Sequence, residues 1–383
     1  MTEVPDLTSN TSPIKGMESL GFEFSLPPEL EAGEPPEARG LRRDQVRLMV
    51  SNYSTDRVRH ASFHDLPKFL TRGDVLVINT SRTRNAALLA VRADGTRLEL
   101  HLSTHLMEEY SKLPSGEAGD LWTIELRSLE SNGKSRHFEG AEQGEILSLP
   151  GAAAAVLLGP YISDCDPDLQ LPSQTLWLAS VTLPSAVDDY LAKFGFPIRY
   201  NYVKDKWPLS YYQTVYATES GSAEMPSAGR PFTSELLMRL ESKGVQIAPL
   251  ILHTGVSNVD THEPPYKEFY QVSSDTARLV NEARASGRRV IAVGTTVVRA
   301  LETVTAAGGK VHAGEGWTCK VITPKYKLRS INALLTGYHE PEATHLAILQ
   351  ALVGPAHTRL AYNEALKHNY LWHEFGDLHL MLP

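Results

Sequence analysis

The chain has 383 residues, 42% of them hydrophobic and 21% charged, with a formal net charge of −8. Such a composition belongs to a soluble globular protein, long enough for two domains or for one with a large insertion. It excludes a generally basic nucleic-acid wrapper and, with no long apolar run, a membrane span, although a few clustered Lys and Arg would still serve phosphate.

Residues 1–20 are polar and lack an apolar signal core, so they read as a disordered tail of a cytoplasmic protein. Residues 22–40 are rich in Pro, Glu and Gly and predict an extended lead-in with at most a short helix. A short helix at Leu66–Leu70, a turn at Arg72-Gly73 and a buried strand at Asp74–Asn79 follow. From residue 80 to 186 the apolar positions alternate. Asp94-Gly95 and Asn132-Gly133 sit between such runs, and both pairs tolerate the positive φ of a tight hairpin. This stretch predicts an inserted antiparallel, barrel-like β domain.

After residue 187 strands and helices alternate. A helix from Thr233 to Gly244 leads to a strand at Val245–His253. A helix at Ser274–Ser286 precedes a strand and helix within "RVIAVGTTVVRALE", residues 289–302. A strand at 331–336, helices at 342–354 and 358–368 and a strand at 377–382 complete the chain. The pattern predicts an α/β domain with mainly parallel strands, made of residues 21–79 and 187–383, interrupted by the β domain at 80–186.

Ligands of open α/β sheets gather where strands end and helices begin. Gly294 allows close backbone approach there. Thr295 or Thr296 caps the helix, and its first free N–H groups attract an anion. Arg299 suits a carboxylate, or pairs with Glu302 across one helical turn. His253 and His339 both fall just past strands and are acid/base candidates. Ser227, Gly229 and Arg230 offer an anion-binding nest. Two segments set cations beside aromatics: Lys193, Arg199, Lys204 and Lys206 with Tyr200, Tyr202 and Trp207, and then Lys320 to Arg329. That suits loop RNA or an ordinary solvated edge.

No metal is expected. His101 and His105 fall on a predicted strand, where four residues span about 13 Å. Cys165 and Cys319, the only cysteines, read as reduced thiols.

Several stretches together resemble one family. They are "FSLPPEL", "FHDLPKFLTRGDVLVIN", "YYQTVYATESGS", "MPSAGRPFTSELLMRLESKGV", "LHTG", "GRRVIAVGTTVVRALE", "INALLTGYHEPEAT" and a terminal "FGD". They are similar, in order and spacing, to the S-adenosylmethionine:tRNA ribosyltransferase-isomerases of queuosine biosynthesis. The resemblance implies S-adenosylmethionine as co-substrate and no prosthetic group. The acceptor would be 7-aminomethyl-7-deazaguanine in tRNA, and the product epoxyqueuosine-tRNA with adenine and methionine released. The chemistry needs a base beside the sulfonium, an acid for the leaving adenine, a dry pocket and a carboxylate anchor. His253, His339 and Glu268 are the catalytic expectations. Gly294, Thr295, Thr296, Arg299, Ser227, Arg230, Gly255 and Thr336 are the substrate-binding ones.

The chain also departs from the family pattern. Asn79-Thr80-Ser81-Arg82 lacks the acid of N-D-T-R, and Arg230-Pro231 replaces Leu-His. Of the H-x-M-H-x-E segment only Glu268 is kept. Such changes preserve a fold while altering a pocket. They leave open a related enzyme acting on a small molecule, or a binding protein without catalysis.

Overall fold

The computed structural model describes residues 23–106, 119–130, 134–163, 165, 172–256, 266–341 and 343–383. The expected tail and the Asn132-Gly133 turn lie outside them.

The chain opens with strands β1 (Arg47–Asn52) and β2 (Arg57–Ser62), which period-2 reasoning did not single out. The short helix α1 (Leu66–Phe69) and the buried strand β3 (Val75–Asn79) follow as expected. After β4 (Ser81–Thr83) come the strands of the insertion. These are β5 (Ala87–Val91), β6 (Arg97–His105), β7 (Asp120–Leu129), β8 (Ser135–His137), β9 (Ile146–Leu149), β10 (Ala153–Ile162) and β11 (Pro172–Thr182). Then follow α2 (Val187–Phe194), β12 (Glu219–Ser222), α3 (Ser234–Ser242), β13 (Gln246–Leu252) and β14 (Glu268–Val272). The rest is α4 (Ser274–Ala285), β15 (Val290–Val293), α5 (Thr295–Thr303), β16 (Gly314–Thr318), β17 (Ala333–Gly337), α6 (His345–Lys367) and β18 (Leu378–Leu382).

The insertion closes on itself. Its strands run β11-β10-β9-β5-β6-β7, and β7 pairs back with β11, all antiparallel, with β8 added beside β7. Closure removes the sheet edges that would otherwise need protection. Alternate residues such as Leu88, Leu100, Ile124 and Leu126 fill its core. The chain enters through β4 and returns through β12, and these two strands pair with each other.

The larger sheet has nine strands in the order β16-β14-β13-β3-β15-β17-β18-β1-β2. It is mixed, which corrects the expectation of mainly parallel strands. The pairs β13–β3, β3–β15, β15–β17 and β18–β1 are parallel, while β16–β14, β14–β13, β17–β18 and β1–β2 are antiparallel. The final strand causes much of this, because it slots between β17 and β1. Strand side chains alternate between two apolar layers. Val75, Val77, Ala292 and Leu334 face α4, α5 and α6. Leu76, Ile78, Ile291 and Leu335 face Phe232 and the buried Leu236 and Leu240 of α3. Each such leucine contributes roughly 2 kcal/mol by burial.

Helix ends follow the sequence signals. Thr233 Oγ1 accepts from the Leu236 N–H at 3.1 Å, and Ser273 Oγ from the Thr276 N–H at 3.1 Å. The two helices expected at 342–354 and 358–368 abut within α6. They are broken at Gly354, whose φ of +79° no side-chain-bearing residue adopts readily, with Pro355 next.

The cysteines are not free thiols: Cys165, after β10, and Cys319, after β16, form a disulfide with their Cα atoms 5.2 Å apart. A separation of 154 residues hid this proximity from sequence reading. His101 and His105 share β6 but part company. His101 lies buried between Glu99 and Glu125, at 3.5 and 3.3 Å, whereas His105 stacks on Trp122.

Candidate active site

The polar residues of interest collect beyond the ends of β13, β15 and β17. Gly294 joins β15 to α5 with φ +88° and ψ 157°, and no side chain caps the helix. This corrects the expected threonine cap: Thr295 is buried and Thr296 half-buried, and the first-turn N–H groups are left uncapped. A Cβ on Gly294 would lie 3.6 Å from Ala228, so this turn sits against the Ser227–Gly229 turn.

Arg299 is buried on α5 and does not pair with Glu302. It forms an ion pair with Glu268 of β14, donates from Nε to the Lys320 carbonyl at 3.1 Å, and from Nη2 to the Tyr266 carbonyl at 3.4 Å. These three bonds use three of five guanidinium N–H groups. Glu268 also accepts from the Gly255 N–H at 3.1 Å. Gly255 is hemmed in by the barrel, since an added Cβ would come within 2.7 Å of Ser103 Oγ. Glu302 instead accepts from the Arg329 and Ser330 N–H groups, both at 2.8 Å, and pins that loop.

His253, just past β13, shares a 2.8 Å hydrogen bond between Nδ1 and Ser81 Oγ, which lies 2.6 Å from Ser222 Oγ. Its ring stacks on Phe269. Burial, helped by the charge of Arg84, pushes its pKa down to about 4, so it is neutral at pH 7. Among the described residues nothing hydrogen-bonds to Nε2.

His339 lies past β17, its Nε2 3.0 Å from Thr336 Oγ1. Its buried Nδ1 has no partner. Its ring stacks on His345 at 4.6 Å and lies 5.5 Å from His373. Burial and these neighbouring imidazoles hold His339 well below the ordinary histidine range, and burial brings His345 down to about 3. The charge of Arg299 also bears on His345, which links the two groups of residues.

A small pocket, with room for about one water, opens beside them, lined by Ser227, Arg230, Gly337, His373, Glu374 and Phe375 among others. Arg230 is only 2% exposed. Its guanidinium binds Glu37 at 2.8 Å and the Tyr211 carbonyl at 2.9 Å, and its Nη1 has no partner. Glu374 is buried, its Oε2 also unpartnered, and burial drives its pKa well above the ordinary carboxylate value.

The structure therefore brings Gly255, Glu268 and Arg299 into one network, sets Gly294 to Thr296 against the turn that carries Ser227, and puts Thr336 and His339 behind the pocket that Ser227 and Arg230 line. Sequence reading missed His345, His373 and Glu374 as residues of this region. A cluster of histidines and acids around the loops after β17 and before β18 was the available signal. In the 193–207 segment the aromatics turn inward: Tyr200 stacks on Tyr202 and meets His373, while Lys193, Lys204 and Lys206 are exposed.

A family model described as "Queuosine biosynthesis protein" matches residues 20–381. Among curated proteins, the S-adenosylmethionine:tRNA ribosyltransferase-isomerase of Moorella thermoacetica is 34% identical over 375 residues, covering 94% of this chain and 98% of that protein. The enzyme of the same name from Symbiobacterium thermophilum is 35% identical over 369 residues, with the same coverage. The crystal structure of S-adenosylmethionine tRNA ribosyltransferase from Thermotoga maritima superposes with a TM-score of 0.50 at 29% identity, covering 94% of this chain and 99% of that one.

Proposed function

The chain belongs to the queuosine biosynthesis protein family, and from that premise we propose that it is an S-adenosylmethionine:tRNA ribosyltransferase-isomerase. It transfers the ribosyl part of S-adenosylmethionine to 7-aminomethyl-7-deazaguanine in tRNA and isomerises it to epoxyqueuosine. Adenine and methionine leave. S-adenosylmethionine is a co-substrate, and no prosthetic group takes part. The carrying observation is similarity to enzymes of this name over 94% of the chain. A tRNA substrate puts the protein in the cytoplasm. No described helix is long and apolar enough to cross a membrane.

We assign His253 as the base at the carbon beside the sulfonium. If its Nδ1 donates to Ser81 Oγ and Ser81 donates to Ser222 Oγ, the Nε2 lone pair faces outward, and the depressed pKa keeps it unprotonated. Thr295 and Thr296 hold the methionine carboxylate on uncapped N–H groups, where the helix dipole favours an anion, and Gly294, whose own N–H donates to the Leu335 carbonyl at 2.8 Å, lets it approach closely. Arg299 adds its two remaining donors. Glu268 cancels its charge, so the guanidinium acts by direction more than by attraction. Glu268, oriented between Arg299 and Gly255, is accordingly a positioning residue as well as the family's retained acid. His339, with Thr336 behind it, accepts or relays a proton as a neutral imidazole. Ser227 and Arg230 receive the acceptor. The catalytic unit on this reading is residues 21–79 with 187–383, and the barrel unit is 80–186.

The loss of the family's acid at Thr80 and histidine at Pro231, with a net charge of −8, favours a second reading, in which the same donor chemistry serves a small-molecule acceptor. Adenine release from S-adenosylmethionine, followed by chromatography, separates the two. Release that requires tRNA carrying the aminomethyl-deazaguanine is expected. Release independent of any tRNA selects the second reading, and no release under either condition defeats both.

A further inference from the structure

At the opposite edge of the nine-stranded sheet three side chains converge that the ribosyl-transfer reading does not use. Glu364 and His368 are one turn apart at the end of α6, so they project on the same side of the helix. His60 comes from the edge strand β2. His60 Nε2 and His368 Nε2 both lie against the same Glu364 Oε1, at 3.3 and 2.8 Å. The two imidazole rings are 4.3 Å apart. One ligand atom from each residue falls within 4.8 Å of the other two. Tetrahedral zinc with bonds of about 2.1 Å sets its ligands roughly 3.4 Å apart: the His60–Glu364 distance is near this, the His368–Glu364 distance opens slightly, and the imidazole nitrogens, within 4.8 Å of each other, close.

We propose that His60, Glu364 and His368 bind a divalent transition-metal ion of the zinc type, with water completing the coordination. Two imidazoles and one carboxylate suit zinc in chemical kind. The outer contacts fit as well. His60 Nδ1 is 2.8 Å from the Tyr370 hydroxyl, which fixes the ring with Nε2 directed at Glu364. All three side chains are partly exposed, at 35%, 27% and 39%, so an ion has an entry path and the side chains have room to close. Two cations are nearby. Lys367 Nζ is 3.9 Å from Glu364, and the Arg47 guanidinium lies over the Tyr370 ring and donates to the His368 carbonyl at 2.7 Å. Lys367 is exposed and swings away, whereas Arg47 stays and lowers the affinity. The bound ion ties β2 to the end of α6, a structural role.

The test is calorimetric titration of the full-length protein with zinc chloride, beside thermal melts. One zinc per chain and a raised Tm are expected. Both disappear in a His60→Ala/His368→Ala double variant whose circular dichroism and metal-free Tm match the parent. Tyr370→Phe weakens binding about tenfold through the lost outer contact. Equal zinc binding by parent and double variant overturns the proposal, as does no binding by the parent. Should the double variant fail to fold, cobalt(II) added to the parent decides: intense visible bands of four-coordinate cobalt are expected, and the pale six-coordinate spectrum overturns the site.

Discussion

Two buried histidines, one in the barrel and one beside the nine-stranded sheet, meet opposite fates. His101 and His339 are 4% and 5% exposed. Burial pushes the pKa of both down. At His101, hydrogen bonds and charge from Glu125 and Glu99 outweigh burial and raise it, which favours the cation. At His339 the neighbours are His345 and His373, which deepen the effect of burial and leave a neutral ring with an orphaned nitrogen. Depth alone therefore says nothing about protonation. Carboxylates make the barrel site an ionic cluster, while the sheet site holds neutral rings; at both, the histidine Nδ1 lacks a well-aligned hydrogen-bond partner.

The largest effect expected is on stability. Glu125→Leu leaves His101 and Arg127 short of a buried partner and should cost about 3–5 kcal/mol in denaturant unfolding, with the KM for S-adenosylmethionine unchanged. A mild loss would mean the barrel trio is looser than its contacts suggest. Next, His339→Asn should reduce kcat about 100-fold while KM moves little, if a neutral imidazole carries a proton there. An unchanged kcat per folded molecule would make His339 as structural as His101. Arg299→Ala should raise KM for S-adenosylmethionine about tenfold, the worth of a charged hydrogen bond. An unaltered KM would confine Arg299 to holding Glu268.

The smallest effect sharpens the contrast through pH. The stabilisation from His101 is full below its ordinary value of 6.5 and is lost as pH rises through its higher folded value. That from Glu99 and Glu125 is full above 4.5 and is lost as pH falls through their lower folded values, so the trio supports the barrel most between pH 4.5 and 6.5. His253, His339 and His345, with lowered values, weaken the sheet region as pH falls below 6.5. Hydrogen exchange at pH 5.5 and pH 8 should show the sheet loops loosening at the first and the barrel at the second. Glu374→Gln belongs to the same series. Its raised pKa means stability is lost as pH climbs above 4.5, so the amide should be more stable than the parent at pH 8 and no more stable at pH 4.

The sequence made local features legible and hid the distant ones. Asp94-Gly95 announced a hairpin because turn chemistry is local, and the β5–β6 pairing has that register. Thr233 and Ser273 announced helix starts for the same reason. The mixed sheet was hidden because periodicity reveals a strand without its neighbour: nothing within residues 377–382 says that β18 lies parallel to β1 and antiparallel to β17. The position of His253 just past a strand was legible, because the strand before it is a local feature. For Arg299, spacing offered a ligand carboxylate or Glu302 as partner, whereas its ion pair is with Glu268, 31 residues away. Cys165–Cys319 was missed by the same kind of distance.

The pairing of β4 with β12 has a consequence for how such a molecule arises. Residues 81 and 219 face each other in register, so the parent sheet experiences the whole barrel as a loop whose two ends already touch. Inserting or exchanging the barrel then leaves the parent's closure entropy almost unaltered. The Cys165–Cys319 disulfide and the Val256 N–H donated to Ser103 Oγ then fasten the barrel to its host at points away from that entry.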